Sequence, residues 1–80
     1  MTKVFKGAKI RVGSKFFRCI NQWQEVINGE SIQNELEFIE ILETQVVQEP
    51  VIKKGVEEVK EFYDKVKKGE IEILYLPQKK

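Results

Sequence analysis

Lys9-Ile10-Arg11-Val12-Gly13-Ser14-Lys15-Phe16-Phe17-Arg18 is the stretch that decides the fold. Gly13-Ser14 separates two β-prone runs, and glycine at the first central position is what a two-residue type II′ hairpin turn requires. The turn fixes a register in which Val12 opposes Lys15, Arg11 opposes Phe16, Ile10 opposes Phe17, Lys9 opposes Arg18 and Ala8 opposes Cys19. Side chains alternate across a strand, so Ala8, Ile10, Val12, Phe17 and Cys19 share one face while Lys9, Arg11, Phe16 and Arg18 share the other. One turn thereby separates a core face from a basic face.

Working outward, Val26-Ile27-Asn28-Gly29-Glu30-Ser31-Ile32 carries the Asn-Gly pair of a type I′ turn, in which both central residues need positive φ. The register it sets pairs Glu25 with Ile32, Trp23 with Asn34, Asn21 with Leu36 and Cys19 with Phe38. Trp23, Leu36 and Phe38 then join the core face, and Glu35, Glu37, Ile39 and Ile41 lie beside Phe16, Arg18 and Ile20 on the other. The two turns agree with one another, which predicts a three-stranded meander over Ala8–Val12, Lys15–Ile27 and Glu30–Leu42. Glu40 conflicts with it, because it falls opposite Phe17 on the core side, so a bulge near Ile39 or a splaying of the strands is expected. A helix over Ser31–Val47 is the rival, since Ile32, Leu36, Ile39, Leu42 and Val46 recur at spacings of three and four. Its solvent face would hold carboxylates with no cation for any i,i+4 pair, which argues against it.

From Pro50 the period changes to that of a helix. Ile52, Val56, Val59, Tyr63 and Val66 make one stripe, widened by Val51 and Phe62, with Pro50 at the first helical position and Gly69 able to end the element. This predicts an amphipathic helix from about Pro50 to Lys68, with Gly55 inside it at a cost of about 1 kcal/mol relative to alanine. Glu70–Leu76 reads as a strand stopped by Pro77, and a short additional strand near Val46 is a further expectation. The fold class is α+β: an antiparallel β-meander, with a small curled sheet of the SH3 or OB kind as its architectural analogue, followed by one amphipathic helix and a C-terminal strand. Architecture of that kind hosts unrelated functions and supplies no site residues.

Eighty residues make a single small globular domain over 1–80, with a polar tail at 77–80. A 41% apolar and 34% charged composition fits an ordered protein. No run is apolar enough for a signal peptide or a membrane span, so a cytoplasmic protein that engages no membrane is expected. The lone cysteine, Cys19, agrees with a reducing compartment. The net charge of +1 conceals a strong sorting of sign. Residues 1–24 contain Lys3, Lys6, Lys9, Arg11, Lys15 and Arg18 without a carboxylate, and residues 25–50 contain Glu25, Glu30, Glu35, Glu37, Glu40, Glu43 and Glu49 without a cation. Either the basic block awaits a ligand, or the acidic strand neutralises it inside the sheet; the second is expected here.

The chemical inventory points away from catalysis. There is no histidine, which removes the commonest general base and metal ligand together with Ser-His and Cys-His pairs. Cys19 alternates with core residues and reads as a small buried hydrophobe, and Ser14 is explained by its turn. Glu35, Glu37, Glu40 and Glu43 lack the spacing of a calcium loop, so no metal and no cofactor is expected. What remains is binding. A protein-interaction module, such as a regulator or inhibitor of a larger partner of the kind mobile genetic elements encode, would use Trp23 with Gln22, Gln24, Gln33 and Asn34, an amide-rich patch around a residue type enriched at hot spots. The alternative is nucleic-acid binding by Lys9, Arg11, Lys15, Phe16 and Arg18, where cations surround an aromatic that can stack on a base.

Overall fold

Both turns form as their chemistry dictates. Gly13 has φ 62° with Ser14 outside the positive region, the signature of type II′, and Asn28 at 51° and Gly29 at 80° give type I′. The computed structural model describes residues 3–42 and 49–77. Its elements are β1 (Lys9–Val12), β2 (Lys15–Ile27), β3 (Glu30–Ile41), β4 (Val51–Lys54), α1 (Val56–Lys67) and β5 (Ile71–Tyr75). The strands make one open antiparallel sheet in the order β4-β3-β2-β1-β5. The Ser31–Val47 helix is therefore excluded over β3, and the additional strand near Val46 falls outside the described residues, as do positions 78–80 of the tail.

The helix begins later than its apolar stripe suggests. Val51–Lys54 pair with β3 instead, Phe38 opposite Val51 and Glu35 opposite Lys54, because the β-branched pair Val51-Ile52 can satisfy its backbone on the open edge of β3. Gly55 is the N-cap, not an interior residue: its φ of 88° and ψ of 153° turn the chain from strand into helix. Glu58 closes the junction by accepting the Lys54 backbone N–H at 3.1 Å. From there α1 carries the chain from the β4 edge to the β5 edge across one face of the sheet.

That face is the apolar one. Val4, Ala8, Ile10, Cys19, Leu36 and Phe38 bury against Val59 and Phe62 of α1 and Ile71 of β5. Phe38 and Phe62 stack with centroids 5.2 Å apart, and Tyr63 meets Phe62 edge-on at the same separation. The basic face of the first hairpin is thus the one the helix leaves uncovered.

Candidate docking face

The β1–β2 register is the one the first turn sets, Lys9 opposite Arg18 through Val12 opposite Lys15. The β2–β3 register agrees with the second turn at both ends, Glu25 with Ile32 and Cys19 with Phe38, but not between them. Asn21 opposes Glu37 and Trp23 opposes Glu35, instead of Leu36 and Asn34. An extra residue at Ile20 on β2 and another at Asn34 on β3 shift the ladder out and back. The shift expected near Ile39 is thus displaced to Ile20, and Phe17 does oppose Glu40, which is half-buried.

Each bulge exchanges the two faces of its strand. After Ile20, Trp23 points away from the helix and is 44% exposed, so its expected place in the core is overturned. Gln22 and Gln24 turn to the helix side, and beyond Asn34, Gln33 joins them there at 4% exposure. Gln33 Nε2 donates to the Val4 carbonyl at 2.8 Å and to Gln22 Oε1 at 3.4 Å, and Gln24 Nε2 donates to Gln22 Oε1 at 3.2 Å. The Tyr63 hydroxyl donates to Gln33 Oε1 and accepts the Val4 N–H at 3.0 Å. Burial pushes the Tyr63 hydroxyl above the ordinary tyrosine pKa. The structure therefore separates the predicted amide patch: Gln22, Gln24 and Gln33 tie the N-terminal segment, the hairpin and α1 together, while Trp23 stands on the opposite face. Asn34 sits at a bulge, its backbone carbonyl accepting Gly55 N–H at 2.7 Å and its buried Oδ1 without a partner among the described residues.

On the helix-free face, cross-strand pairing arranges side chains in rows. The first row is Glu72, Arg11, Phe16 and Ile41, and the second is Tyr75, Lys9, Arg18 and Ile39. The third is Asn21, Glu37 and Ile52, and the fourth is Trp23, Glu35 and Lys54. Glu25 with Ile32 and then Ile27 with Glu30 complete it along the hairpin, which outruns its neighbouring strands and gives the molecule a 44 Å long axis. Of the predicted cationic set, Lys9, Arg11, Phe16 and Arg18 share this face, with Phe16 45% exposed, whereas Lys15 pairs with Val12 and belongs to the other. Ile52 and Tyr75 complete the face and escaped the sequence reading, the former because it was counted into the helix. The β-branched Val51-Ile52 between Pro50 and Gly55 was the available signal.

The acidic strand does not neutralise the basic one. Among the described residues the only ion pair on this face is Arg11–Glu72, at 2.7 Å, and Glu72 comes from β5. Arg18 opposes Ile39, and Glu35 and Glu37 oppose Trp23 and Asn21. The expectation of mutual cross-strand pairing is thus overturned: the register next to the turns itself leaves Arg18 opposite Ile39, and the carboxylate that Arg11 meets comes from β5.

On the helix side, a cavity of about 350 Å³ opens between α1 and the sheet, lined by Phe17, Phe38, Val51 and Phe62 with the charged Lys53 and Glu58 among its walls. Cys19 is buried on this side; its Sγ–H donates to the Asn21 carbonyl at 3.3 Å, and desolvation pushes its thiol up to about 11. Among the described residues no cluster of three metal-ligating side chains occurs, and no helix is long and apolar enough to cross a membrane. The chain matches no family model, no curated protein and no solved structure.

Proposed function

We propose that the protein is a non-enzymatic binding module that docks on another protein, as a regulator or inhibitor, through the helix-free face of its sheet. One observation carries this: α1 covers one face of the sheet, and the uncovered face holds a half-exposed indole at Trp23, with Ile52 in the neighbouring row and the exposed Phe16 and Tyr75 farther along it. Apolar area bordered by charge is the usual composition of a protein interface, with tryptophan over-represented among the residues that dominate its energetics. The lone thiol fits a reducing, cytoplasmic setting.

Nucleic-acid binding is the second reading, favoured by Lys9, Arg11 and Arg18 surrounding the exposed Phe16. Against it, Glu72 already occupies Arg11 and the other end of the face is acidic. Two experiments separate these readings. A benzophenone-bearing residue at position 23 should give a discrete protein adduct in the cells that make the protein, and the same residue at Lys60 on the helix should not; equal labelling from both sites refutes docking. Mixed oligonucleotides should show no affinity at physiological salt. Binding that weakens steeply with added salt, and is lost in a variant with Lys9→Gln and Arg11→Gln, would establish the second reading instead.

A further inference from the structure

We infer that the partner docks by adding a strand to the sheet: an extended basic segment of another protein lies along the open edge of β2, beside Trp23. This inference rests on the docking role given to the face that carries Trp23. β1 accompanies β2 only as far as Cys19, whose N–H donates to the Ala8 carbonyl and whose carbonyl accepts Gly7 N–H. β4 accompanies β3 only to Glu35, so the hairpin from Asn21 to Gln33 is a two-stranded arm. Backbone groups point alternately to either side along an antiparallel strand. Ile27 and Glu30 close the type I′ turn, so Ile27 and Glu25 turn their N–H and C=O to β3, as Trp23 does past the Asn34 bulge. Gln22, Gln24 and Val26 therefore turn theirs outward, where these groups have no partner among the described residues.

The other free edges are guarded. β4 is only four residues long, and Glu58 accepts its Lys54 N–H. A bulge interrupts β5 opposite Lys9 and Ile10, and Pro77 follows the strand. On the far side of the arm the Lys3 ammonium donates to the Ser31 carbonyl at 2.8 Å, and Gly55 N–H donates to that of Asn34. Short strands, bulges and lysines are the usual means by which a sheet keeps its edges from pairing. The β2 edge instead presents an uninterrupted outward row from Gln22 to Val26, and the Val26 side chain is 76% exposed beside it.

The side chains along that edge specify the strand that fits it. Trp23, Glu25 and Ile27 follow one another on the helix-free face, and Glu30 stands beside Ile27. An antiparallel strand laid on the edge meets Trp23 and Glu25 at positions without backbone bonds, where facing side chains approach most closely. Glu25 has no ion-pair partner among the described residues, so a cation belongs opposite it, with apolar side chains opposite Trp23 and Ile27 on either side. A second copy of the arm does not fit. About a twofold axis, the register centred on Gln24 drives the turn at Asn28 into Ala8, and the one centred on Glu25 sets that carboxylate against itself. The occupant is thus a different chain, and its strand covers the indole that α1 leaves out.

The probe is an acetylated and amidated heptapeptide in which threonines alternate with valine, lysine and valine. Titrated into the isotopically labelled intact protein, it should shift the amide resonances of Gln22, Gln24 and Val26 and slow their hydrogen exchange. A dissociation constant of roughly 0.1–1 mM is expected, because a free peptide loses much conformational freedom on binding. Glutamate in place of the peptide's lysine should weaken binding about tenfold or more, and added salt should narrow that difference. Val26→Pro removes an outward N–H and leaves the ladder to β3 intact, so it should weaken binding about tenfold as well, while Val26→Thr should not. Circular dichroism shows whether the proline variant is folded, and the glutamate peptide makes its test on the unaltered protein. No shift at the three amides with the lysine peptide at about 5 mM, well above that constant, overturns the inference. So does equal binding of the two peptides, or undiminished binding by folded Val26→Pro. In those cases a discrete protein adduct from position 23 would leave the docking role standing, and its absence would remove both.

Discussion

Gln33 and Tyr63 offer the sharpest check on how the two bulges divide the amides. Replacing Gln33 with leucine keeps the volume but strips the Val4 carbonyl of its 2.8 Å donor and the Tyr63 hydroxyl proton of its acceptor. Tyr63→Phe strips Gln33 Oε1 of its donor and the Val4 N–H of its acceptor at 3.0 Å. Val4 and Gln33 are both buried, so water does not readily replace what is lost. A buried group left without a partner costs about 1–3 kcal/mol, so each single change should cost about 2–4 kcal/mol. For 80 residues that is a large part of a total stability of about 4–12 kcal/mol. The double variant leaves only the N–H and carbonyl of Val4 unpaired, two groups where the singles together leave four. It should therefore be less destabilised than their sum by about 2 kcal/mol. Urea unfolding followed by circular dichroism measures this, with Trp23 fluorescence as the second probe of a single transition. Additivity within about 0.5 kcal/mol would refute the network and return Gln33 to the exposed patch that its sequence context suggests.

Three further outcomes follow from the core and from the β4–α1 junction. Cys19 should react with thiol reagents far more slowly in the native protein than in urea. Its thiol pKa, raised from 9.0 to about 11 when folded, contributes stability that is whole below pH 9 and is lost as pH climbs to 11. That corresponds to roughly 3 kcal/mol, with Tyr63 adding to the loss in the same direction, and an alkaline melting series with and without Cys19→Ala should show it. Gly55→Ala should cost about 1–2 kcal/mol from backbone strain alone, because φ is 88° and nothing lies within 4 Å of the added methyl. Unchanged urea stability would mean the junction does not need that conformation.

Where local chemistry decides the outcome, the sequence is legible. Gly13-Ser14 and Asn28-Gly29 specify turn types with few alternatives, and the period-two pattern from Ala8 to Cys19 then identifies both the buried and the basic faces. Val59, Phe62, Tyr63 and Val66 are equally plain as the inner stripe of α1. What escaped is what depends on tertiary pairing. Val51 and Ile52 extend a helical stripe in sequence, yet the open edge of β3 and the conformation of Gly55 make them a strand. The partner of Arg11 was expected from the acidic block and comes from Glu72, sixty-one residues away, because β5 returns to pair with β1.

The two bulges explain why agreement between turns was persuasive and still incomplete. A turn fixes the pairing next to it, so the first checks β1 against β2 and the second checks the tip of the long hairpin. One extra residue at Ile20 and one on the opposing strand at Asn34 cancel, leaving Cys19 opposite Phe38 and Glu25 opposite Ile32 as an uninterrupted ladder would. Only the pairing between them is altered, but every side chain of β2 past Ile20 and of β3 from Gln33 back to the turn changes face, Glu25 and Ile32 included. In the uninterrupted ladder Trp23 would lie under the helix side and the outer face would carry Gln22 and Gln24 beside Glu35 and Gln33, an amide surface with little apolar area. The bulges move the indole out and the amides in, where Tyr63 and Val4 satisfy them. They also carry Glu25 and Glu30 onto the helix-free face, which adds carboxylates to the end of it away from Arg18. The features that suit this face to a partner therefore arise from the same two residues, in the part of the ladder that neither turn controls.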